Sequence, residues 1–234
     1  MAAPGAVDPV AMVALAKRAL LEVKDGALVG LGSGRAAGAF VRALGAAVRA
    51  GLRARGVPTS KATTALAREV GLPLVDLEAG PLDLTVDGAD EVDPSCDLIK
   101  GYGGALLYER VVAAASRRQV ILVGADKLVA ALGHRGRLPV EIVPFALPLC
   151  RARLGALGLR PELRETDGRV FVTDGGHFIL DCGTGPLADK PALDRAVRAV
   201  PGVVDHGLFL GTASLVLVAE GSLVTELHPA RGAQ

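Results

Sequence analysis

The chain has 234 residues, enough for one or two domains, and half of them are hydrophobic, with a mean hydropathy of +0.41. Aromatic content is 3% and tryptophan is absent, so the core it can build is aliphatic. A net charge of +1 gives no basic excess for nucleic acid, and the scarce aromatics leave little for bases to stack on. No apolar run approaches the roughly eighteen residues of a membrane helix. Cys96, Cys150 and Cys182 are odd in number and form no C-x-x-C pair. They point to buried thiols in a reducing compartment rather than a disulfide frame or a zinc site. The N-terminus carries Asp8 and no basic segment followed by an apolar block, so no secretory signal is expected and the cytoplasm is the default.

Asp8-Pro9 is a helix start, a capping acid followed by proline, and the helix should run to about residue 23, where Lys24-Asp25-Gly26 ends it. Residues 27–31 read as a short buried strand, 32–35 as a tight glycine loop, and 36–50 as a second helix. A strand near 56–58, a helix over 63–70, and strands at 74–75 and 82–86 follow. A helix over 105–116 and an apolar strand over 119–123 complete this half. Strands alternating with helices imply a mainly parallel, doubly wound sheet. After about residue 132 the rhythm changes. A strand at 140–143, a helix at 147–157 and an extended stretch at 160–164 come first. A hairpin of 170–173 with 178–181 around Gly175-Gly176, a helix at 191–200 and a strand at 203–209 follow. That β-α-β-β-α-β order is the split arrangement of a ferredoxin-like domain. The expected organisation is an α/β catalytic domain over 1–132, completed by 206–234, and a smaller ferredoxin-like α+β domain over 133–205. Strands at 215–218 and 223–225 should return to the main sheet.

The chemistry concentrates in residues 87–110: Asp87-Gly88-Ala89-Asp90-Glu91, then Lys100-Gly101-Tyr102-Gly103-Gly104, then Glu109. The acidic group follows a buried strand, and the carboxyl ends of such strands are where open α/β sheets bind ligands. Carboxylates this close repel unless a cation, a proton or a substrate lies between them. Lys100 can supply the cation, and the glycines let backbone approach a ligand. Alone, Asp-Gly-Ala-Asp-Glu also fits a surface turn or a Mg²⁺ or Ca²⁺ cluster. The spacing is not that of a calcium loop, and the lysine-bearing glycine loop that follows would be superfluous to a metal cage. Both move the balance from a metal cluster towards catalysis, with Lys100 as the balancing cation and no metal expected. In the 105–116 helix, Leu107, Val111 and Ala114 read as the apolar stripe. Glu109 then lies roughly 200° from Leu107, at about 100° per residue, in a first turn whose dipole favours a carboxylate. Beside Lys100 it is a candidate general base.

Gly32-Ser33-Gly34-Arg35-Ala36-Ala37 fits the dinucleotide pattern between a strand and a helix. The acid a Rossmann site wants about twenty positions on is missing, although Arg53 and Arg55 could serve an NADP 2′-phosphate. The simpler reading is a phosphate of a small substrate held by loop N–H groups and the helix dipole.

Together these stretches resemble the type A ribose-5-phosphate isomerases nearly end to end. The resemblance rests on Val29-Gly-Leu-Gly-Ser-Gly34, Pro58-Thr-Ser60, Val86-Asp-Gly-Ala-Asp-Glu91, Leu98-Ile-Lys-Gly101 and Gly103-Gly-Ala-Leu106. It extends through Leu138-Pro-Val-Glu-Ile-Val-Pro144, Thr173-Asp-Gly-Gly176, Ile179-Leu-Asp181 and Gly202-Val-Val-Asp-His-Gly-Leu-Phe209. It implies a metal-free aldose–ketose isomerisation between ribose 5-phosphate and ribulose 5-phosphate through an enediolate. Glu109 matches the family's proton-transferring base, and Asp87 and Asp90 the carboxylates that hold sugar hydroxyls and assist ring opening. Lys100 matches the lysine near the substrate oxygens, and Lys127 a further lysine lining the site. Substrate contacts are expected from Ser33, Gly34, Arg35, Ala36, Gly88, Ala89, Gly101, Tyr102 and Gly103, and a homodimer or homotetramer as the assembly.

This chain departs from the family pattern at several points. Arg35 and Ala36 replace two hydroxyl residues of the first loop, and Met12 stands where some relatives carry a phosphate-side lysine. Tyr102 interrupts the glycine run, Tyr108 stands where arginine is common, and Gly124 replaces a common aspartate ahead of Lys127. These leave isomerisation of another phosphosugar as an alternative. A non-catalytic sugar-phosphate sensor is a second alternative, although no basic recognition helix accompanies it.

Overall fold

The computed structural model describes residues 8–229. Helix α1 (Pro9–Leu20) starts as its sequence dictates, with the Asp8 side chain accepting from the Val10 N–H at 2.9 Å and Pro9 in the first turn. It stops before residue 23 because Leu21, Glu22 and Val23 donate instead to carbonyls three residues back, which tightens the last turn. Strand β1 (Ala27–Leu31), helix α2 (Arg35–Arg49), strand β2 (Ala54–Pro58) and helix α3 (Lys61–Glu69) follow. Strands β3 (Leu84–Gly88), β4 (Glu91–Val92) and β5 (Leu98–Ile99) lead into α4 (Leu106–Ala114) and β6 (Gln119–Gly124). The expected strand at 74–75 is reduced to a single bridge from Leu74 to Gly56.

The later elements are β7 (Arg137–Ile142), α5 (Leu147–Ala156), β8 (Arg160–Leu163), β9 (Glu165–Thr166) and β10 (Arg169–Val170). Then come β11 (Phe178–Gly183), α6 (Lys190–Arg198), β12 (Val203–His206), β13 (Leu208–Phe209), β14 (Leu215–Glu220) and β15 (Leu223–Leu227).

The chain divides into two compact units. Of the described residues, unit 1 holds those up to Gly88, Val111–Lys127, and those from Ala213 on. Its six-stranded sheet has the order β15-β14-β6-β3-β1-β2, parallel except for the β14–β15 pair. Both late strands return to it as expected. One face carries α1, α2 and α3 over a core that includes Leu15, Leu31, Phe40 and Leu44. On the other, Val112 of α4 packs with Leu28, Val57 and Leu82. The sheet is thus doubly wound, and its buried strands read as the continuous apolar runs such sheets need.

Unit 2 holds Ala89–Arg110 and Leu128–Thr212. Its four-stranded sheet, β12-β7-β11-β8, is antiparallel throughout and is the ferredoxin-like order expected from β-α-β-β-α-β. Alternate residues Leu138, Val140 and Ile142 of β7 join Leu180, Cys182, Cys150, Leu154 and Val197 in one core with α5 and α6. A three-stranded sheet, β13-β5-β4, lies in the same unit. The segment 89–110, placed with the catalytic domain in the sequence reading, packs here.

Two further expectations differ from the structure. Around Gly175-Gly176 a turn forms, with the Gly176 N–H on the Thr173 carbonyl and the Thr173 N–H on the His177 carbonyl, both at 2.9 Å, but the strand pairing beyond it is a Val172–Phe178 bridge. Instead β11 pairs with β7 and β8, and Val170 lies in the β9–β10 ribbon. The stretch 203–209 is two strands in two sheets, broken at Gly207. A Cβ there would sit 2.1 Å from the Lys100 carbonyl oxygen, so only glycine allows this approach.

Candidate active site

In unit 1 the chemistry-bearing loops all lie at the carboxyl ends of parallel strands. The 32–34 loop follows β1, Thr59-Ser60 follow β2, Asp87 and Gly88 end β3, and Ala125–Lys127 follow β6. The chain crosses from β1 to β2 on one side and then from β2 to β3 on the other side of β1, so Gly32 and Asp87 flank the point where strand order reverses. A Cβ on Gly32 would fall 2.1 Å from Asp87 Oδ1, so this glycine is fixed by close approach. The buried Asp87 carboxylate accepts from the Ser33 N–H at 3.1 Å and the Gly88 N–H at 2.7 Å.

Helix α2 begins after Gly34, whose φ of 89° suits glycine, and its N-terminus has no side-chain cap. Arg35 is its exposed first residue and Ala36 is half-buried. Ser33 Oγ lies 2.9 Å from Thr59 Oγ1 and 2.8 Å from Ser60 Oγ, and Thr63 Oγ1 donates to the Gly32 carbonyl at 3.0 Å. Thr59, Ser60 and Thr63 therefore form a hydroxyl cluster around the loop, none of them named as a contact from sequence. The signal was present: Ser60 and Thr63 stand at capping spacing directly after a strand end, and Ser60 Oγ accepts from the Thr63 N–H. Met12 packs against the main hydrophobic core instead of standing in for a lysine. Asp126 Oδ1 fills the space a side chain at Gly124 would take, 2.5 Å from its ideal Cβ, and Lys127 beside it is half-buried. Arg53, considered for a 2′-phosphate, is bound to Asp25 through Nε at 2.9 Å and Nη2 at 2.5 Å, which weakens the dinucleotide reading.

In unit 2, Lys100 follows β5, and its N–H donates to the Gly207 carbonyl at 2.8 Å. Its Nζ lies 3.1 Å from Glu109 Oε2, with the two side chains 3% and 7% exposed. The ammonium also sits 5.6 Å from the centre of the Phe209 ring. The expected apolar stripe of α4 is corrected here. Val111 and Ala114 are exposed, and the buried face is Leu106, Glu109 and Val112. Glu109 thus lies on the buried stripe, at i+3 from Leu106. Counting only apolar residues hid this, because the carboxylate occupies a position a hydrophobic residue would normally fill.

Asp90 anchors the start of the glycine loop: its N–H donates to the Ile99 carbonyl at 2.8 Å, and its Oδ2 accepts from the Tyr102 N–H at 2.9 Å. Gly101 and Gly104 have φ of 105° and 83°, and the Gly104 N–H closes the turn onto the Gly101 carbonyl at 3.0 Å, leaving Gly103 exposed at the tip. The Tyr102 ring lies under the Arg137 guanidinium at 3.9 Å, and burial, with Glu91 and Asp90 nearby, pushes its phenol up to about 12. Next to Glu109, Arg110 packs 3.9 Å over Phe209 and bonds the carbonyls of His206 and Leu208 together with the Asp205 carboxylate. Burial pushes the His206 imidazole down to about 3, with Arg110 and Arg198 adding to the effect. Its Nδ1 accepts from the Leu208 N–H at 3.2 Å, and its Nε2 lies 3.2 Å from Asp194 Oδ1, which opposes the shift.

The fold is that of an α/β protein with its loops where such sheets bind ligands, and the buried Lys100–Glu109 pair has the make-up of an acid–base catalyst. The model of the ribose 5-phosphate isomerase A (phosphoriboisomerase A) family matches residues 55–222. A ribose-5-phosphate isomerase A of Roseiflexus sp. (strain RS-1) is 51% identical over 217 residues, covering 91% of this chain and 93% of the relative. One from Rhodopseudomonas palustris (strain HaA2) is 53% identical over 213 residues, 87% and 91% of the two chains. The solved ribose 5-phosphate isomerase A of Methanocaldococcus jannaschii superposes with a TM-score of 0.91 at 34% identity, over 95% of this chain and 100% of that one. The chain belongs to the ribose 5-phosphate isomerase A family. It is an isomerase interconverting ribose 5-phosphate and ribulose 5-phosphate in the pentose phosphate pathway.

Proposed function

We propose that Glu109 carries the proton between C2 and C1 of the open-chain sugar. It takes the C2 proton, and the C2–H electron pair forms the C1–C2 double bond while the carbonyl pair moves onto O1. The enediolate collapses as the O2 proton passes to O1 and the O2 electron pair closes the C2 ketone, while the C1–C2 π pair takes the proton back from Glu109 at C1. The Lys100 ammonium stabilises the charge developing on the oxygens. The observation that carries this reading is the buried 3.1 Å Lys100–Glu109 pair. Buried ion pairs are weak sources of stability, because desolvation offsets their attraction, so a chemical use is the better account. Asp87 and Asp90, held by backbone N–H groups, orient the sugar hydroxyls. Lys127 and the loops carrying Gly88, Ala89, Gly101, Tyr102 and Gly103 complete the substrate contacts. No metal enters the reaction, because Lys100 supplies the cation. Purified enzyme should therefore convert ribose 5-phosphate undiminished in EDTA, as read by ribulose 5-phosphate formation. Loss of turnover on chelation, restored by Mg²⁺ or Mn²⁺, contradicts this.

Ser33, Gly34, Arg35 and Ala36 bind the phosphate. The uncapped start of α2 supports this reading, since its N–H groups and dipole favour an anion. Arg35, at the first position of that helix, supplies charge where the loop lacks two hydroxyls. Arg35→Ala should raise KM for ribose 5-phosphate about tenfold, as befits a hydrogen bond to a charged group, with a much smaller change in kcat. An unchanged KM removes Arg35 from the phosphate. A homodimer or homotetramer is the assembly we favour, supported by Phe145, which is 95% exposed. The buried, free cysteines fit a reducing cytoplasm.

A further inference from the structure

We propose that Arg164 is a positioning residue for the isomerisation: its guanidinium fixes the 100–104 loop, and through Tyr102 the Asp90 carboxylate, in the geometry the reaction uses. The proposal rests on the assignment of Asp90, Lys100 and Glu109 to the reaction.

Arg164 follows β8, and its backbone is held on both sides. Its N–H donates to the Ile179 carbonyl and its own carbonyl accepts from the Phe171 N–H, both at 2.9 Å. Its side chain is 9% exposed. Nε donates to Asp181 Oδ2 at 2.8 Å and Nη2 to Asp181 Oδ1, which makes a bidentate pair. The remaining edge of the fork serves the loop: Nη1 donates to the Gly101 carbonyl at 2.9 Å and to the Tyr102 carbonyl at 3.1 Å. One planar cation thus ties strand β11 to two consecutive loop carbonyls.

The loop needs such an anchor. Gly101, Gly103 and Gly104 give it wide conformational freedom, and two of them sit at positive φ. Its internal bond, Gly104 N–H to Gly101 carbonyl, closes the turn without fixing its orientation. Phe171 adds a second hold: its ring packs where Gly104 lacks a side chain, 2.4 Å from the ideal Cβ. From the anchored segment, the Tyr102 N–H reaches Asp90 Oδ2 at 2.9 Å, and Lys100 immediately precedes Gly101. A shift of this loop moves a catalytic cation and a substrate-orienting carboxylate together. Lysine cannot replace Arg164, since its point charge has no flat fork to satisfy a carboxylate and two carbonyls at once.

The test compares Arg164→Met and Arg164→Lys with wild type, kcat being taken per folded molecule well below the unfolding temperature. Both should lose kcat about 10- to 100-fold, the scale expected from misplacing a catalytic group by about an ångström. The loop's position has its own optical signal, because the chain contains two tyrosines and no tryptophan. In a Tyr108→Phe background the emission comes from Tyr102 alone, and acrylamide should quench it more strongly once Arg164 is replaced. Should Arg164→Met fail to fold, Asp181→Asn, which loosens the same anchor, should show a smaller kcat loss and the same gain in quenching. Arg164→Met with kcat within about twofold of wild type and unchanged quenching overturns the positioning role. Glu109→Gln, assayed alongside, separates the two levels: full activity in that variant sinks the site assignment itself, whatever Arg164 does.

Discussion

Glu109→Gln should reduce kcat for ribose 5-phosphate by about 10²- to 10⁴-fold, the usual contribution of a positioned general base. The substitution keeps the shape of a side chain on the buried stripe of α4 and keeps an acceptor oxygen near Lys100, but an amide cannot carry a proton between two carbons. Substrate should still bind, because the loop proposed to hold the phosphate is elsewhere in the chain. The expected pattern is a collapse of kcat with a dissociation constant for ribose 5-phosphate within a fewfold of the wild-type value. Retention of more than about a tenth of wild-type turnover removes Glu109 from the role.

The second large effect is expected at Lys100. Lys100→Met takes away the cation beside Glu109 and the charge proposed to meet the enediolate. Losing one oxyanion-stabilising group costs about 10²- to 10³-fold in kcat. The same change leaves a carboxylate, 7% exposed, without its 3.1 Å partner. Removing one member of a buried pair typically destabilises by about 3–5 kcal/mol. A double variant, Lys100→Met with Glu109→Leu, separates the two consequences. It should recover most of the stability in a denaturant titration while remaining inactive, since an apolar pair of similar volume can replace a buried ion pair at little cost. A stable, fully active Lys100→Met enzyme is the contrary outcome.

Much of this fold could be read directly from local pattern. Asp8-Pro9 sets the start of α1, and the apolar runs of β1 and β6 lie within a residue of their expected limits. The ferredoxin-like order followed from element succession alone. The misreadings share a cause, which is tertiary pairing invisible to a window of sequence. Gly175-Gly176 looks like a hairpin turn, yet β11 takes its partners from strands distant in sequence. The stretch 203–209 is continuous in hydrophobicity but changes sheet at Gly207, because only a residue without a side chain can lie against the Lys100 carbonyl.

The candidate site was legible in residue identity more than in geometry. Asp87, Asp90, Lys100 and Glu109 stood out as a dense cluster of charge in one short segment. That Glu109 lies on the buried face of its helix was not legible, since helical periodicity is scored on apolar residues and a buried carboxylate breaks the rule it should report. The hydroxyls of Thr59, Ser60 and Thr63 were overlooked because residues of this kind are so common in turns. Their significance comes from ending on the same sheet edge as Ser33 and Asp87. Tyr102 looked like an interruption of a glycine run, and the structure shows its ring stacked on Arg137 while its backbone holds Asp90.

The central claim, that one carboxylate moves a proton between adjacent carbons, is tested most directly with ribose 5-phosphate deuterated at C2. Wild-type enzyme in ordinary water should release the C2 deuterium, part of it to solvent and part to C1 of ribulose 5-phosphate, at the rate of turnover followed by NMR. Glu109→Gln, saturated with the same substrate, should leave the label at C2 over the time in which wild type exchanges it completely. Loss of the label in Glu109→Gln at a rate approaching that of wild type would contradict the account.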